Sequence, residues 1–272
     1  MLRSFLPLIL LLLAAPDAHA APLPRQCKLN REGRLQCTLV GTTPTGRRPL
    51  QKFDPAAFPM EQIRKSRSPL SIGAPFAGRL HRPVTMPVSG KGFVLLARSQ
   101  ERGHVYALPE LVDLLTAAAA RVVRLYPKST LTVGDLSPRG GGYAPGHRSH
   151  QSGRDVDLGF YIVDRRSRYQ VVTAEFVHFN ELARGAGRYA HLIFDLERNW
   201  ELVEALVTHK TVKVQKIFIS AQLRDLLLQY ADAVARPADV LRRARAVLSA
   251  DTAHGDHFHL RIACPDDQPH CR

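Results

Sequence analysis

After its first twenty residues the sequence has no long hydrophobic run, and this absence excludes a polytopic membrane protein. Its four cysteines include no C-x-x-C pair, which disfavours a zinc site built from cysteines. Acidic residues are scarce, at 24 against 38 Lys and Arg, so the chain carries a net charge of +14. Hydrophobic residues make up 45% of the 272 positions, which suffices for one sizeable core and excludes disorder of the bulk of the chain.

The first twenty residues indicate export. Arg3 precedes an apolar stretch over residues 5–15, Pro16-Asp17 ends that stretch, and Ala18-His19-Ala20 supplies the small residues of a cleavage site. The stretch is too short for a membrane span, which needs about 20 residues. No cysteine stands at the cut, which disfavours a lipoprotein. We therefore predict a cleaved signal peptide over residues 1–20 and a periplasmic protein with no stable membrane insertion.

Export changes the interpretation of the charge. Cleavage removes one basic and one acidic residue, so the exported chain keeps its net charge of +14. In the cytosol such a balance indicates nucleic acid, but an exported protein rarely meets it. We expect instead an anionic partner such as cell-wall polymer or lipid head groups, while most of the basic residues simply solvate the surface.

An even number of cysteines in an exported chain favours disulfides. Cys27 and Cys37 flank a segment whose Arg31-Glu32-Gly33 is typical of a hairpin turn, and Cys264 and Cys271 bracket the polar stretch PDDQPH. These short separations favour local pairing, Cys27 with Cys37 and Cys264 with Cys271. The crossed connectivities stay open.

Hydrophobic periodicity predicts an α+β fold, with a small, largely antiparallel sheet flanked by helices. The predicted helices cover residues 108–125, 195–208, 220–234 and 239–248, and the predicted strands cover residues 130–134, 155–162, 212–219 and 257–264.

The chain is predicted to have two parts after the signal peptide. Residues 21–70 are basic, rich in proline and weakly periodic, and are expected to form an N-terminal extension stapled by a disulfide. Residues 71–272 are expected to form the main domain. Residues 164–190 have no pattern that we can interpret.

Five of the twelve histidines fall in two short windows. The first window reads GHRSHQSGRDVD and contains His147, His150 and Asp157; the second reads HGDHFHLRI and contains His254, His257 and His259. An isolated histidine of this kind is more often a solvated surface residue than a metal ligand. The occurrence of both windows in one exported chain favours a metal site.

On a strand, His257 and His259 face one way while the apolar residues between and after them face the core. Asp157 projects from the polar side of its own strand, and Gly153 permits a turn that brings back His150. If the two strands are neighbours, His150, Asp157 and His259 converge. Two imidazoles and a carboxylate suit catalytic zinc and leave a fourth position for water, with His257 placed as general base.

The pattern S-H-Q-S-G-R-D-V-D over residues 149–157, with the later H-x-x-H-x-H over residues 254–259, resembles penicillin-insensitive murein endopeptidases. These belong to a wider group of zinc peptidases that includes lysostaphin, D-alanyl-D-alanine carboxypeptidases and the hedgehog domain. The resemblance covers about residues 130–162 and 250–271. It is supported by these short motifs: Gly134-Asp135, Gly146-His147, Cys264-Pro265 and, more weakly, Ser71-Ile72-Gly73.

The resemblance implies Zn²⁺ bound by His150, Asp157 and His259, with His257 as base. It also implies His147 as a further metal ligand and His254 as a catalytic residue near the site. Asp155 matches the pattern too and is either a support for a ligand or a surface carboxylate. Arg139, in the glycine-rich loop, is expected to bind a substrate carboxylate or to be an exposed loop charge.

The implied activity is hydrolysis of the D-alanyl–meso-diaminopimelyl crosslinks of peptidoglycan through a metal-activated water. A D,D-carboxypeptidase that trims terminal D-Ala is a second hypothesis, although its upstream serine and arginine motif is not found here. A basic wall-binding or metal-binding module without activity is the third.

Overall fold

A computed structural model of the protein describes residues 52–272 in full and the backbone of two strands before them. Contacts divide the chain into two units, residues 1–49 and 50–272. In the first unit, β1 (Arg25–Leu29) pairs antiparallel with β2 (Leu35–Leu39), and Cys27 lies directly opposite Cys37. Their side chains, the turn between the strands and the predicted signal peptide lie outside the described residues.

The second unit mixes helices and strands. Its α-helices are α1 (Met60–Lys65), α2 (Ala97–Glu101), α3 (Pro109–Leu125), α4 (Leu196–Val207), α5 (Ala221–Ala233) and α6 (Ala238–Val247). Its strands are β3 (Leu70–Ala74), β4 (Ala77–His81), β5 (Val84–Thr85), β6 (Ser89–Gly90), β7 (Phe93–Leu95), β8 (Tyr106–Ala107), β9 (Leu131–Val133), β10 (Asp155–Gly159), β11 (Ile162–Asp164), β12 (Gln170–Val171), β13 (Leu192–Phe194), β14 (Val214–Ile219), β15 (Leu248–Ala250) and β16 (His257–Ile262). In the described residues, no helix is long and apolar enough to cross a membrane.

The largest sheet has the strand order β15-β14-β16-β10-β9-β7-β6. The pairs β14–β15 and β7–β9 are parallel and the other pairs are antiparallel. The mixed α/β class and the antiparallel majority agree with the prediction, but a sheet of seven strands is not small. The three strands that enlarge it, β6, β7 and β15, have only two or three residues. So short a segment carries no readable alternation of apolar and polar residues.

The four predicted helices are present because each carries an apolar face at helical spacing. In α3 this face is fully or almost fully buried and consists of Leu111, Leu114, Leu115, Ala118, Ala119 and Val122. Helix α4 packs against α3, α5 and α6, and its Trp200 is completely buried. Ser220 occupies the position before α5, and its side chain makes no capping hydrogen bond.

The predicted strand over residues 155–162 is wrong in its extent. The chain leaves the main sheet after β10, and β11 pairs instead with β12 and β13 in a separate three-stranded sheet. The buried side chain of Asn199 causes the break, because it donates to the carbonyl of Tyr161 at 2.7 Å and accepts from its amide at 2.9 Å. A side chain 38 residues away thus replaces the ladder bonds that Tyr161 would otherwise make.

The C-terminal segment is fastened by the disulfide Cys264–Cys271, as the local pairing predicts. Gly73 of β3 receives this segment: its amide donates to the carbonyl of His270, and its carbonyl accepts from the amide of Arg272. Gly73 has φ +73°, and a Cβ there would lie 2.5 Å from the carbonyl oxygen of Ala77. Glycine is therefore required at this contact.

Candidate metal centre and cleft

Strands β10 and β16 lie side by side at the centre of the main sheet and supply the first two candidate residues. Their antiparallel register sets Asp157 directly opposite His259. Val156 and Leu158 of β10 are completely buried, as are Phe258, Leu260 and Ile262 of β16. Because successive side chains alternate between the two faces of a sheet, the burial of these residues turns Asp157 and His259 together towards the opposite face.

The loop before β10 brings a third candidate, His150, to the same place. His150 is completely buried and has φ +65°, a strained backbone conformation for a residue that is not glycine. Gly153 turns the chain back towards β10 with φ +76°, and a Cβ there would lie 2.5 Å from the side chain of Leu80. The turn predicted at Gly153 is present.

The carboxylate of Asp157 is the centre of the cluster. Its Oδ1 lies 3.2 Å from His150 Nε2, 3.4 Å from His259 Nδ1 and 3.4 Å from His257 Nε2. His147 Nδ1 approaches the other oxygen, Oδ2, at 3.7 Å. Among the described residues no Lys or Arg is within ion-pair distance of Asp157.

Each of the five clustered histidines has its outer ring nitrogen tied to an oxygen of the protein. These hydrogen bonds are 2.6–2.9 Å long and run from His150 Nδ1 to the carbonyl of Leu136, from His259 Nε2 to Asp155, from His257 Nδ1 to Asp256, from His254 Nδ1 to Asp251 and from His147 Nε2 to Asp135. An oxygen acceptor requires the proton on the outer nitrogen, so the inner nitrogen of a neutral ring presents a lone pair. This is how metal-binding histidines are oriented.

Two buried atoms in the cluster, His150 Nε2 and Asp157 Oδ1, face each other and have no hydrogen-bond partner among the described residues. Burial disfavours a charged Asp157, yet the surrounding histidines hold its pKa well below the usual range. Burial lowers the pKa of His259 and so favours the neutral imidazole that binds metals, whereas at His150 burial is outweighed by the charge of Asp157 and the pKa is raised. An ionised carboxylate surrounded by imidazole nitrogens, with no Lys or Arg of the described residues within ion-pair distance, is a suitable donor set for a divalent ion.

His257 lies beside this donor set. Burial opposes its charged form, but the contacts with Asp157 and Asp256 prevail and raise the pKa of His257 to about 9. Its Nε2 faces the cluster while Nδ1 is held by Asp256 at 2.6 Å. His254 contacts both His257 and His259 through ring edges, with centroids 5.1 and 5.4 Å away.

A second acidic cluster adjoins the first and shares His147 with it. Asp135, almost completely buried after β9, accepts hydrogen bonds from His147 at 2.8 Å, Ser99 at 2.5 Å and Arg102 at 3.0 Å. His104, which is also buried, lies 3.3 Å from the same carboxylate. Burial acts to raise the pKa of Asp135, but these donors lower it below its usual value.

Asp155 lies two residues before Asp157 and has a different environment. It is completely buried, and its Oδ1 accepts from His259 Nε2 and from Arg261 Nε, both at 2.7 Å. Of the two roles considered for Asp155, support of His259 agrees with this geometry and a surface position does not. The other oxygen, Oδ2, has no hydrogen-bond partner.

The clustered histidines open into a cleft of about 550 Å³. Its other lining residues include Phe76, Arg148, Phe218 and Arg261, and the guanidinium of Arg261 lies over the ring of Phe218 at 5.7 Å. Arg139 is exposed and is not among the lining residues.

The sequence windows contain most of the cluster but not all of its supports. Asp256 is adjacent to His257 in the second window, and Asp135 belongs to the Gly134-Asp135 motif. The sequence did not indicate which histidine each of these carboxylates supports. His104 is an isolated histidine, and Ser99 and Arg102 are ordinary residues of a short helical segment. No local pattern distinguishes these three, since their positions depend on long-range packing.

Comparisons with known proteins agree with this geometry. The sequence profile described as "Penicillin-insensitive murein endopeptidase" matches residues 71–272. A penicillin-insensitive murein endopeptidase of Escherichia coli O157:H7 is 27% identical over 222 residues, which cover 79% of this chain and 75% of the relative. The protein of the same name from Shigella boydii serotype 18 is 26% identical with the same coverage.

Proposed function

The chain belongs to the penicillin-insensitive murein endopeptidase family, and we propose that it is a zinc-dependent peptidase that hydrolyses D-alanyl–meso-diaminopimelyl crosslinks of peptidoglycan. Family membership makes it a peptidase with peptidoglycan as its substrate class. The observation that carries the finer proposal is that His150 Nε2 and His259 Nδ1 lie 3.2 and 3.4 Å from the same oxygen of Asp157, with no Lys or Arg of the described residues within ion-pair distance.

His150, Asp157 and His259 would hold the zinc ion, and His147 is a further ligand through its Nδ1. Their outer atoms are tied to the protein, so the lone pairs are oriented before a metal arrives. When bound, the ion would act as a Lewis acid on the scissile carbonyl and make a water molecule more acidic.

His257 is the proposed general base. Asp256 holds its Nδ1, which leaves Nε2 directed at the donor set. The contact with Asp157 helps to raise the pKa of His257, and once Asp157 binds the ion this contact would weaken and leave Nε2 able to accept a proton. His254, held by Asp251, stands against both His257 and His259 and keeps this wall of the cleft polar. We assign it to orientation of the reacting groups.

The substrate side of the proposal concerns the free carboxylates of peptide stems. Arg148 and Arg261 line the cleft, and Arg261 is fixed by Asp155 and lies over Phe218. These guanidinium groups supply the positive charge that an anionic stem requires. Arg139 remains a proposed carboxylate ligand, from an exposed position outside the cleft lining.

We further propose that residues 1–20 are a cleaved signal peptide, that residues 21–70 are an N-terminal extension with a Cys27–Cys37 disulfide, and that the protein works in the periplasm. The Cys264–Cys271 disulfide supports an oxidising compartment. The net charge of +14 supports an anionic polymer as partner and, after export, no nucleic acid.

Purified protein incubated with crosslinked muropeptide dimers tests the proposal. We expect conversion of dimers to monomers, loss of this activity with a chelator, restoration by zinc, and loss in His257→Ala. His191→Ala is the matched control, because this histidine is exposed and outside the cleft. Removal of terminal D-Ala alone would instead indicate a D,D-carboxypeptidase, and metal binding without hydrolysis would indicate a wall-binding module.

A further inference from the structure

The segment over residues 164–190, which has no interpretable sequence pattern, delivers one aromatic side chain to the candidate site. After β12 the chain passes Phe176 on its way to β13 and sets its ring against the imidazole of His257. The two rings are stacked, with centroids 4.9 Å apart and planes inclined by 22°. Nothing else in residues 164–190 contacts the clustered histidines through an aromatic ring.

The ring of Phe176 occupies a slot beside Gly134 and Gly159, which we call the glycine slot. A Cβ on Gly134 would lie 2.5 Å from the tip of the ring, and a Cβ on Gly159 would lie 3.2 Å from its edge. Gly159 is the last residue of β10, the strand that carries Asp157, and Gly134 follows the neighbouring strand β9. A side chain at Gly134 would displace the ring. At Gly159 a Cβ would lie closer to the ring than most real Cβ contacts, so the ring would have to shift slightly there too.

A cation holds the same ring from α2. The guanidinium of Arg98 lies over Phe176 at 4.7 Å from the ring centroid. Its Nε is buried and has no hydrogen-bond partner among the described residues, so the aromatic face is a contact that remains for this part of the group. A cation over a phenyl face is attracted by the negative face of the ring, more strongly where water is excluded.

The imidazole of His257 needs such a contact. Its contacts with Asp256 and Asp157 hold two atoms at opposite sides of the ring, and such contacts restrict rotation about the line that joins them less than they restrict its position. A flat surface stacked on the ring restricts that rotation and keeps Nε2 directed at Asp157, 3.4 Å away. A reacting group displaced by about 1 Å can lose on the order of 100-fold in rate.

We propose that Phe176 is a positioning residue, held by Arg98 and the glycine slot, that fixes the plane of the His257 imidazole for proton transfer. The inference rests on the proposed function, in which His257 is the base. It assigns to residues 164–190 a part in the site that their sequence does not reveal.

The test compares Phe176→Leu, which removes the flat surface, with Phe176→Tyr, which keeps it. For muropeptide dimers we expect Phe176→Leu to lower kcat about 10- to 100-fold with KM little changed, and Phe176→Tyr to retain near wild-type kcat. Arg98→Met should lower kcat in the same direction by a smaller factor. Tyr169→Leu is the control, because this aromatic residue of the same segment is 78% exposed.

Two measurements separate positioning from a general structural effect. Zinc affinity should be unchanged in Phe176→Leu, since His257 is not among the proposed ligands. The carbon-bound ring protons of His257, shifted upfield by the phenyl ring current in the wild type, should move downfield in Phe176→Leu and stay in Phe176→Tyr.

Unchanged kcat in Phe176→Leu would overturn the inference, and so would a parallel loss of zinc affinity or failure of Phe176→Tyr to restore turnover. If Phe176→Leu does not fold, the same two readouts are measured in Arg98→Met. Unaltered kcat and unaltered His257 proton shifts in that variant would then overturn the inference. Failure of the proposed function itself is distinct, because the wild-type protein would then not cleave dimers.

Discussion

Two neighbouring carboxylate clusters share His147 and yet have opposite electrostatic designs. Around Asp135 the protein supplies a guanidinium from Arg102 and a hydroxyl from Ser99, so both carboxylate oxygens have donors. Around Asp157 the described residues supply only imidazoles, and Oδ1 has no hydrogen-bond partner among them. Both clusters hold histidine and aspartate at distances suited to a metal ion. The first cluster contains a permanently charged guanidinium, and the second has only titratable imidazoles.

The difference shows why a count of histidines and acids is a poor guide to a metal site. A buried carboxylate must be neutralised by something. At Asp135 the neutralising group is the guanidinium of Arg102. This cluster therefore needs no added ion, and it orients His147 by binding its Nε2. At Asp157 the proposed zinc ion would take that role, and His147 directs its Nδ1 to this carboxylate.

The largest expected effect contrasts the two carboxylates directly. Asp157→Asn removes a charged ligand and should lower zinc affinity by more than about 100-fold, because the loss of a ligand exceeds the 10–100-fold typical for loss of a supporting residue. Asp135→Asn should lower it by about 10-fold or less. Competition with a chromophoric chelator measures both constants.

Asp157→Asn and Asp135→Asn each keep the shape of the side chain and remove its negative charge. Thermal melting of the metal-free proteins serves as the control for folding. If Asp135→Asn costs as much zinc affinity as Asp157→Asn, the distinction between the two clusters is wrong and the ion belongs to the Asp135 side.

A middle-sized effect concerns Asp155, which supports the proposed ligand His259. Asp155→Asn weakens the hydrogen bond that fixes the tautomer of this ring, so zinc affinity should fall about 10- to 100-fold. Asp251→Asn is the counterpart, because Asp251 supports His254, which is not a proposed ligand. Titration calorimetry with zinc should show little change for Asp251→Asn; equal losses in the two variants would contradict the assignment of ligands.

The smallest effect is the pH dependence that Asp135 contributes to the metal-free protein. Its pKa in the folded state is lowered from the ordinary value of 3.8, so its ionised form stabilises the fold above that value and the contribution is lost as the pH falls through the folded-state pKa. Wild type should therefore exceed Asp135→Asn by about 1–3 kcal/mol in free energy of unfolding near neutral pH.

This advantage should shrink below about pH 4. Urea unfolding of the two proteins between pH 7 and pH 3 checks the sign. An advantage that grows on acidification would mean that Asp135 is not held ionised by its neighbours, and the contrast with Asp157 would lose its basis.

Local pattern was sufficient for the long helices and for the faces of the strands that build the cluster, while the structure supplied the fact that β10 and β16 are neighbours. The apolar face of α3 and the alternation of β16 are repeated over enough residues to be read without a structure, and burial follows from them directly. The candidate residues His150, Asp157 and His259 could be named because the motif and the alternation point to the same face. Asp256 is the residue next to His257 in the sequence.

Long-range contacts explain what local pattern missed. The strand over residues 155–162 is interrupted by Asn199, which belongs to α4, and Phe176 reaches His257 from a segment without periodicity. Arg139 is exposed and outside the cleft lining, whereas Arg148 and Arg261 line the cleft, and Arg261 is fixed by Asp155. None of these relations has a signature in neighbouring residues.

The sequence by itself determined the chemistry available to this protein: histidines and aspartates at spacings that suit a peptidase metal centre, in a basic chain with an export-like N-terminus. Only the tertiary structure decided that Asp157 is surrounded by imidazoles while Asp135 is paired with an arginine. The physical reason is that residue type and alternation are local properties. Neutralisation and burial depend instead on side chains such as Arg102 and Arg261, which approach across the fold.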